Sequence, residues 1–270
     1  MIALLSMYDW PEVAAETDAA WVAIRDGLRA EGVAAPETLT RGADLWAAWR
    51  DPALVFGQTC GLPLVRGLTE VEVIGAIDYG LPGCPPGFYR SALVTRADDP
   101  RETLSAFRGA RAAVNGRDSQ SGYGALLAAV APYAEAAGFF GAARVTGSHR
   151  ASVIAVAAGE ADIAAIDCVS WRLAERFEPT AGALRVSGLT EPTPGLPLIA
   201  AAGTDVARHR AVAAAVLPTL AHGTAGLRGF APLTRSDYAM IATRFAAAEA
   251  RVAIQSGVRP GRAGSFVPES

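Results

Sequence analysis

The stretch 115-NGRDSQSGYGALLAAV-130 sets Ser119, Gln120, Ser121 and Gly122 directly ahead of an apolar helical pattern. Small polar residues at a helix start can do one of two things. They can cap the backbone N–H groups that a first turn leaves without partners. They can also join those N–H groups, and the positive end of the helix dipole, around a tetrahedral oxyanion. Gly122 would let such a ligand approach the backbone closely. Both readings stay open at this point. The stretch lacks the Lys-Ser/Thr pair of a nucleotide P-loop and the G-x-S-x-G spacing of a nucleophile elbow.

A second polar helix start lies in 146-TGSHRASVIAVAAGEADIAAIDCV-169. Ser148 and His149 open this helix, and a His there can donate to an oxyanion whose charge favours its protonation. The run DIAAI then delivers Asp167 at the carboxyl end of a strand, where ligands of open α/β sheets gather. Asp167 could hold an amine or hydroxyl, or simply cap the helix that starts at Cys168. Nearer the N-terminus, Tyr8 follows the first apolar run, Gln58 and Thr59 follow LVFGQ, and Tyr79 follows VEVIGAI. All four fall at expected strand carboxyl ends. Trp10, Trp21, Trp46 and Trp49 read as packing residues.

The elements that must position these side chains alternate along the chain. Strand-like runs cover 2–6, 54–58, 71–77, 90–96, 111–115, 162–166 and 197–202. Helical spacing covers 11–31, 121–137, 149–159, 168–177, 205–222 and 236–255. Such alternation predicts an α/β fold with mainly parallel sheets flanked by helices. Gly and Pro cluster at 80-GLPGCPPG-87 and 190-TEPTPGLP-197, bracketing a middle block with its own α/β units. The expected organisation is a first lobe of residues 1–87 and 193–255, an inserted second lobe of 88–192, and a loose tail of 256–270. The two crossings would form a two-segment hinge.

Composition narrows the function. A net charge of −3 without basic runs argues against nucleic acid, and no apolar run is long enough to span a bilayer. The three cysteines and three histidines show no zinc spacing, so neither a metal nor a cofactor is expected. Cys60 and Cys84 could pair in an oxidising compartment, a question spacing alone leaves open. MIALLS reads as a first strand with no leader before it. That appearance fits a trimmed or late-started exported chain, or a cytoplasmic one.

The succession SMYDWP, GQTCGLPL, VNGRDSQSGYGAL and TGSHRASVIAVAAGEADIAAIDCV resembles the phosphate/phosphite/phosphonate-binding proteins of ABC transporters, from about residue 2 to about residue 200. The resemblance implies a two-lobed type II periplasmic-binding fold that closes on a small oxyanion, works with an ABC permease, is periplasmic and is monomeric. By the same resemblance, Ser119, Gln120 and Ser121 form the oxyanion clamp, with Gln in the middle where the family has a hydroxyl. His149 reaches the same oxyanion, Asp167 matches the acid that meets the amine of aminophosphonates, and Tyr8 and Tyr79 cover the ligand. The alternative is a cytoplasmic enzyme of menaquinone-type cofactor biosynthesis on the same fold. Asp167 or His149 would then serve as acid–base groups.

Overall fold

A computed structural model of the chain describes residues 1–135, 138–220 and 223–252. The expected loose tail, the end of the last helix and His222 lie outside these residues. In chain order the elements are β1 (Ile2–Leu4), α1 (Ala14–Ala30), α2 (Leu45–Arg50), β2 (Leu54–Gln58), α3 (Gly61–Gly67), β3 (Glu72–Asp78), β4 (Phe88–Tyr89), β5 (Ser91–Arg96) and β6 (Arg111–Val114). There follow α4 (Ala125–Val130), β7 (Ala142–Val145), α5 (His149–Ala157), β8 (Ile163–Asp167), α6 (Cys168–Phe177), β9 (Leu184–Leu189), β10 (Thr193–Pro194), β11 (Pro197–Ala200), α7 (Val206–Val216), β12 (Gly229–Ala231) and α8 (Ala239–Glu249).

The chain divides into two compact units. One comprises Met1–Tyr89 and Thr193–Ala239; the other comprises Arg90–Pro192 and the residues from Met240. The last helix, expected in the first lobe, thus belongs with the second unit. Its side chains explain why. Phe245 packs on Tyr123 with ring centroids 5.8 Å apart, and Arg244 donates to the Pro192 carbonyl at 2.8 Å.

The first unit's sheet runs β1-β2-β11-β3-β12 and the second's runs β7-β6-β8-β5-β9. The expectation of mainly parallel sheets needs correction. β1–β2, β6–β7 and β6–β8 are parallel, whereas β11, β12, β5 and β9 pair antiparallel with their neighbours. The reason is topological. β5 carries the chain into the second unit and β11 brings it back, and each slots between strands that run the other way. At the crossing, β4 and β10 pair in a short antiparallel ribbon, Tyr89 opposite Thr193 and Phe88 opposite Pro194.

What survives the correction matters for function. Three strands of each unit still share a direction: β1, β2 and β3 in the first, β6, β7 and β8 in the second. Their carboxyl ends fall on one sheet edge of each unit. In the first unit, Trp21, Ile24 and Leu28 recur at helical spacing on α1 and pack with Phe56, Ile74 and Val212, which fixes that helix against the sheet. In the second, β8 is buried along its whole length and α5 covers it with Val153 and Val156. Short polar caps begin the helices: Asp44 on α2, Ser148 on α5, Asp167 on α6 and Asp205 on α7. Cys60 and Cys84 carry no disulfide.

Candidate functional site

In the second unit, strand ends gather the polar residues. After β6 the chain turns and enters α4 through one π-helical turn, Gln120–Gly124. The Ser119 carbonyl accepts from the N–H groups of both Tyr123 (3.2 Å) and Gly124 (3.0 Å), which widens this first turn. The Ser119 hydroxyl accepts from Gly122 N–H at 3.0 Å, so the residue is an N-cap. It also lies 3.5 Å from the Ser121 hydroxyl, and Ser121 Oγ lies 2.9 Å from His149 Nε2. Capping and clustering are therefore both present. Ser119, Ser121 and His149 are all buried. Backbone bonds hold the two loops together, since Thr146 N–H donates to the Val114 carbonyl and Gly147 N–H to the Asn115 carbonyl.

Burial pushes the His149 imidazole down from its usual 6.5 to about 3, so the ring is neutral at physiological pH. One nitrogen faces Ser121, and the tautomer decides which partner donates. A buried set of two hydroxyls, a neutral imidazole and a helix start can bind an oxyanion through hydrogen bonds alone. It holds no metal ligand cluster: among the described residues no group of three His, Cys, Asp or Glu side chains comes together.

Gln120 is buried, and its amide folds back along its own helix. The side-chain oxygen sits 2.8 Å from where a Cβ on Gly124 would stand. Ser148 caps α5 by accepting from Ala151 N–H at 3.0 Å. Asp167 is buried and caps α6, its Oδ1 accepting from Val169 N–H (2.7 Å) and Ser170 N–H (3.3 Å).

Two residues of this site escape a reading of the sequence. Asn115 ends β6 and is buried; its Oδ1, without a hydrogen-bond partner among the described residues, lies 1.8 Å from where a Cβ on Gly122 would stand. Ser91 opens β5 opposite Asp167, and its hydroxyl donates to the Ser121 carbonyl at 2.9 Å. The only sequence signal for Asn115 is its place at a strand end, shared with Asp167. Ser91 gives no signal, because its role depends on strand pairing.

In the first unit, Tyr8 and Tyr79 meet edge to face with centroids 5.1 Å apart. Both line a pocket of about 270 Å³ together with Gln58. The Gln58 side chain is buried and its Nε2 has no partner among the described residues. Thr59 is fully buried beside it and does not line the pocket. The sequence expectation thus assembles as two groups, one on each unit's carboxyl edge.

Comparison with known proteins gives these groups a context. The profile of the family described as the phosphonate, periplasmic substrate-binding protein of ABC transporters matches residues 63–238, well over half of the chain. No curated protein matches it. Among solved structures, XAC2383 from Xanthomonas citri bound to ATP is 16% identical, with 92% of this chain and 96% of that one covered and a TM-score of 0.66. The binding-protein component of a Pseudomonas aeruginosa ABC phosphonate transporter is 15% identical over 90% and 84%, with a TM-score of 0.66. PhnD1 from Prochlorococcus marinus in complex with methylphosphonate is 14% identical over 86% and 92%, with a TM-score of 0.67. Identities this low establish the two-lobed α/β fold, and the family match adds the class. That class consists of substrate-binding proteins rather than enzymes, and nothing found favours the enzyme alternative. The chain belongs to the periplasmic phosphonate substrate-binding proteins of ABC transporters.

Proposed function

We propose that this protein captures a small phosphonate-type oxyanion in the periplasm and presents it to an ABC permease. Ser119, Ser121 and His149 hold the oxyanion, with the π-helical start contributing backbone N–H groups. Tyr8, Gln58, Thr59 and Tyr79 contribute from the first unit as the two units close about the crossings between residues 89–90 and 192–193. Ser148 and Asp167 act as caps that fix the helix starts around the ligand. The observation that carries this reading is the buried Ser119–Ser121–His149 set, with Ser121 Oγ 2.9 Å from His149 Nε2 at a helix start. A buried anion needs every lone pair met by a donor, and clustered hydroxyls at a helix N-terminus meet that need.

Thermal unfolding with phosphate, phosphite, methylphosphonate and 2-aminoethylphosphonate tests the proposal. A ligand at one hundred times its Kd stabilises by about 2.7 kcal/mol, a shift of several degrees. Flat melting curves with all four anions at millimolar concentration would sink it. Ser121→Ala removes one hydrogen bond to a charged group, worth about 1.5–3 kcal/mol. Titration calorimetry should therefore show affinity falling roughly 10- to 150-fold. An unchanged Kd in that variant would remove Ser121 from the clamp.

A further inference from the structure

The first unit's pocket has a composition that says what it takes. Its walls are apolar: Leu5, Ile77 and Leu227 with the alanines of α1, closed on one side by the Tyr8–Tyr79 pair. Its volume of about 270 Å³ suits a short chain or a single ring rather than a bare oxyanion. One buried polar side chain is aimed into it, Gln58, whose Nε2 has no partner among the described residues. Such a donor makes room for one hydrogen-bond acceptor, because leaving it unmet inside a closed site is costly.

Charge selection follows from the carboxylates. Among the described lining residues the single carboxylate is Glu16, exposed at the rim. Both of its oxygens are engaged by Thr224, one by the backbone N–H at 2.7 Å and one by the hydroxyl at 2.5 Å. In the second unit, Asp167 Oδ1 is committed to two backbone N–H groups of α6. An ammonium placed in the pocket would lose its hydration to apolar walls and gain no dedicated counter-charge.

We propose that this pocket takes an uncharged alkyl or aryl substituent of the ligand, so that the preferred solutes are substituted phosphonates rather than inorganic phosphate or aminophosphonates. The inference rests on the reading given under Proposed function, which supplies the phosphonate head group. Each methylene moved from water into the pocket adds about 0.8 kcal/mol, which is roughly a three- to fourfold gain in affinity.

Calorimetric Kd values for phosphate, methyl-, propyl-, butyl-, phenyl- and 2-aminoethylphosphonate test it on the full-length protein. The expected order places butyl- and phenylphosphonate tightest, with butyl roughly 50-fold tighter than methyl from three added methylenes. 2-Aminoethylphosphonate is expected to bind more weakly than propylphosphonate, its near-isostere. In Ala20→Leu, where bulk is added to the pocket wall, the butyl-to-methyl ratio should fall toward one. If methylphosphonate binds as tightly as butylphosphonate, or 2-aminoethylphosphonate binds more tightly than propylphosphonate, the pocket assignment is wrong while the oxyanion reading stands. If none of the six binds, the oxyanion reading fails and the pocket assignment falls with it.

Discussion

Gly122→Ala should abolish oxyanion binding and lower the unfolding free energy by about 1–3 kcal/mol, the usual cost of forcing atoms into a packed interior. The added Cβ would meet Asn115 Oδ1 at 1.8 Å, Asn115 Cγ at 2.8 Å and His149 Cε1 at 3.3 Å. The backbone φ of Gly122 is an ordinary negative one, so the conflict is one of space alone. Two responses are open. Either Asn115 swings away from the strand end, or the π-turn moves outward and carries Ser121 off His149. Both disturb the 2.9 Å Ser121–His149 contact on which the clamp depends. The combined variant Asn115→Ala with Gly122→Ala separates this clash from a general loss of fold, since it returns the space. The pair should be coupled by more than about 1 kcal/mol in a double-mutant cycle of urea unfolding. Wild-type affinity and an unchanged melting temperature in Gly122→Ala would show that Asn115 does not back the clamp.

A second large effect concerns acid. His149 titrates near 3 in the folded chain and near 6.5 when unfolded, because burial disfavours its charged form. Between those two values the unfolded chain holds a proton that the folded chain does not. Acid therefore favours unfolding: the stability present above pH 6.5 is lost progressively toward pH 3, at about 1.4 kcal/mol per pH unit. His209, lowered in the same direction by burial, adds to the slope. His149→Gln keeps a hydrogen-bonding side chain but cannot take up the proton. Its stability relative to wild type should improve by about 2.7 kcal/mol between pH 6.5 and pH 4.5. The window is clear of the carboxylates. The Arg101 guanidinium holds Asp99 at about 2, and Arg111 lowers Asp162, so their contributions are lost only as pH falls below the ordinary carboxylate range. Parallel stability curves for the two proteins over this window would rule out a buried, neutral His149.

Much of this was legible in the sequence because burial writes itself into apolar spacing. The first helix, the strands 54–58 and 163–167 and the helix 168–177 fall within a few residues of where periodicity places them. Other elements leave little trace. β7 is mostly exposed and β9 carries the exposed Val186 and Leu189, so neither shows a regular inward face. Strand direction is also absent from periodicity, which is why the antiparallel entry of β5 and β11 could not be read. For the site, polar residues at helix starts pointed to Ser119, Ser121 and His149 through a mechanism that needs no neighbours. Asn115 and Ser91 act through contacts across the fold, and no local pattern marks such residues. Gln120 shows the reverse case. Its position suggested a ligand contact, whereas its amide turns onto Gly124.

The place of β11 in the first sheet bears on the order of assembly. This strand sits between β2 and β3, yet it is made only after all of Arg90–Pro192. The first unit therefore waits, with its middle ladder open, for a contact that spans more than a hundred residues. The second unit draws every strand of its sheet from one continuous stretch. Loop closure of that length slows long-range pairing relative to local pairing. Pulse-labelled amide exchange during refolding should accordingly protect β6 and β8 before β2 and β3. The part of the chain synthesised first is then the last to lock, and its unpaired strand edges are the segment most exposed to misassociation before the chain returns.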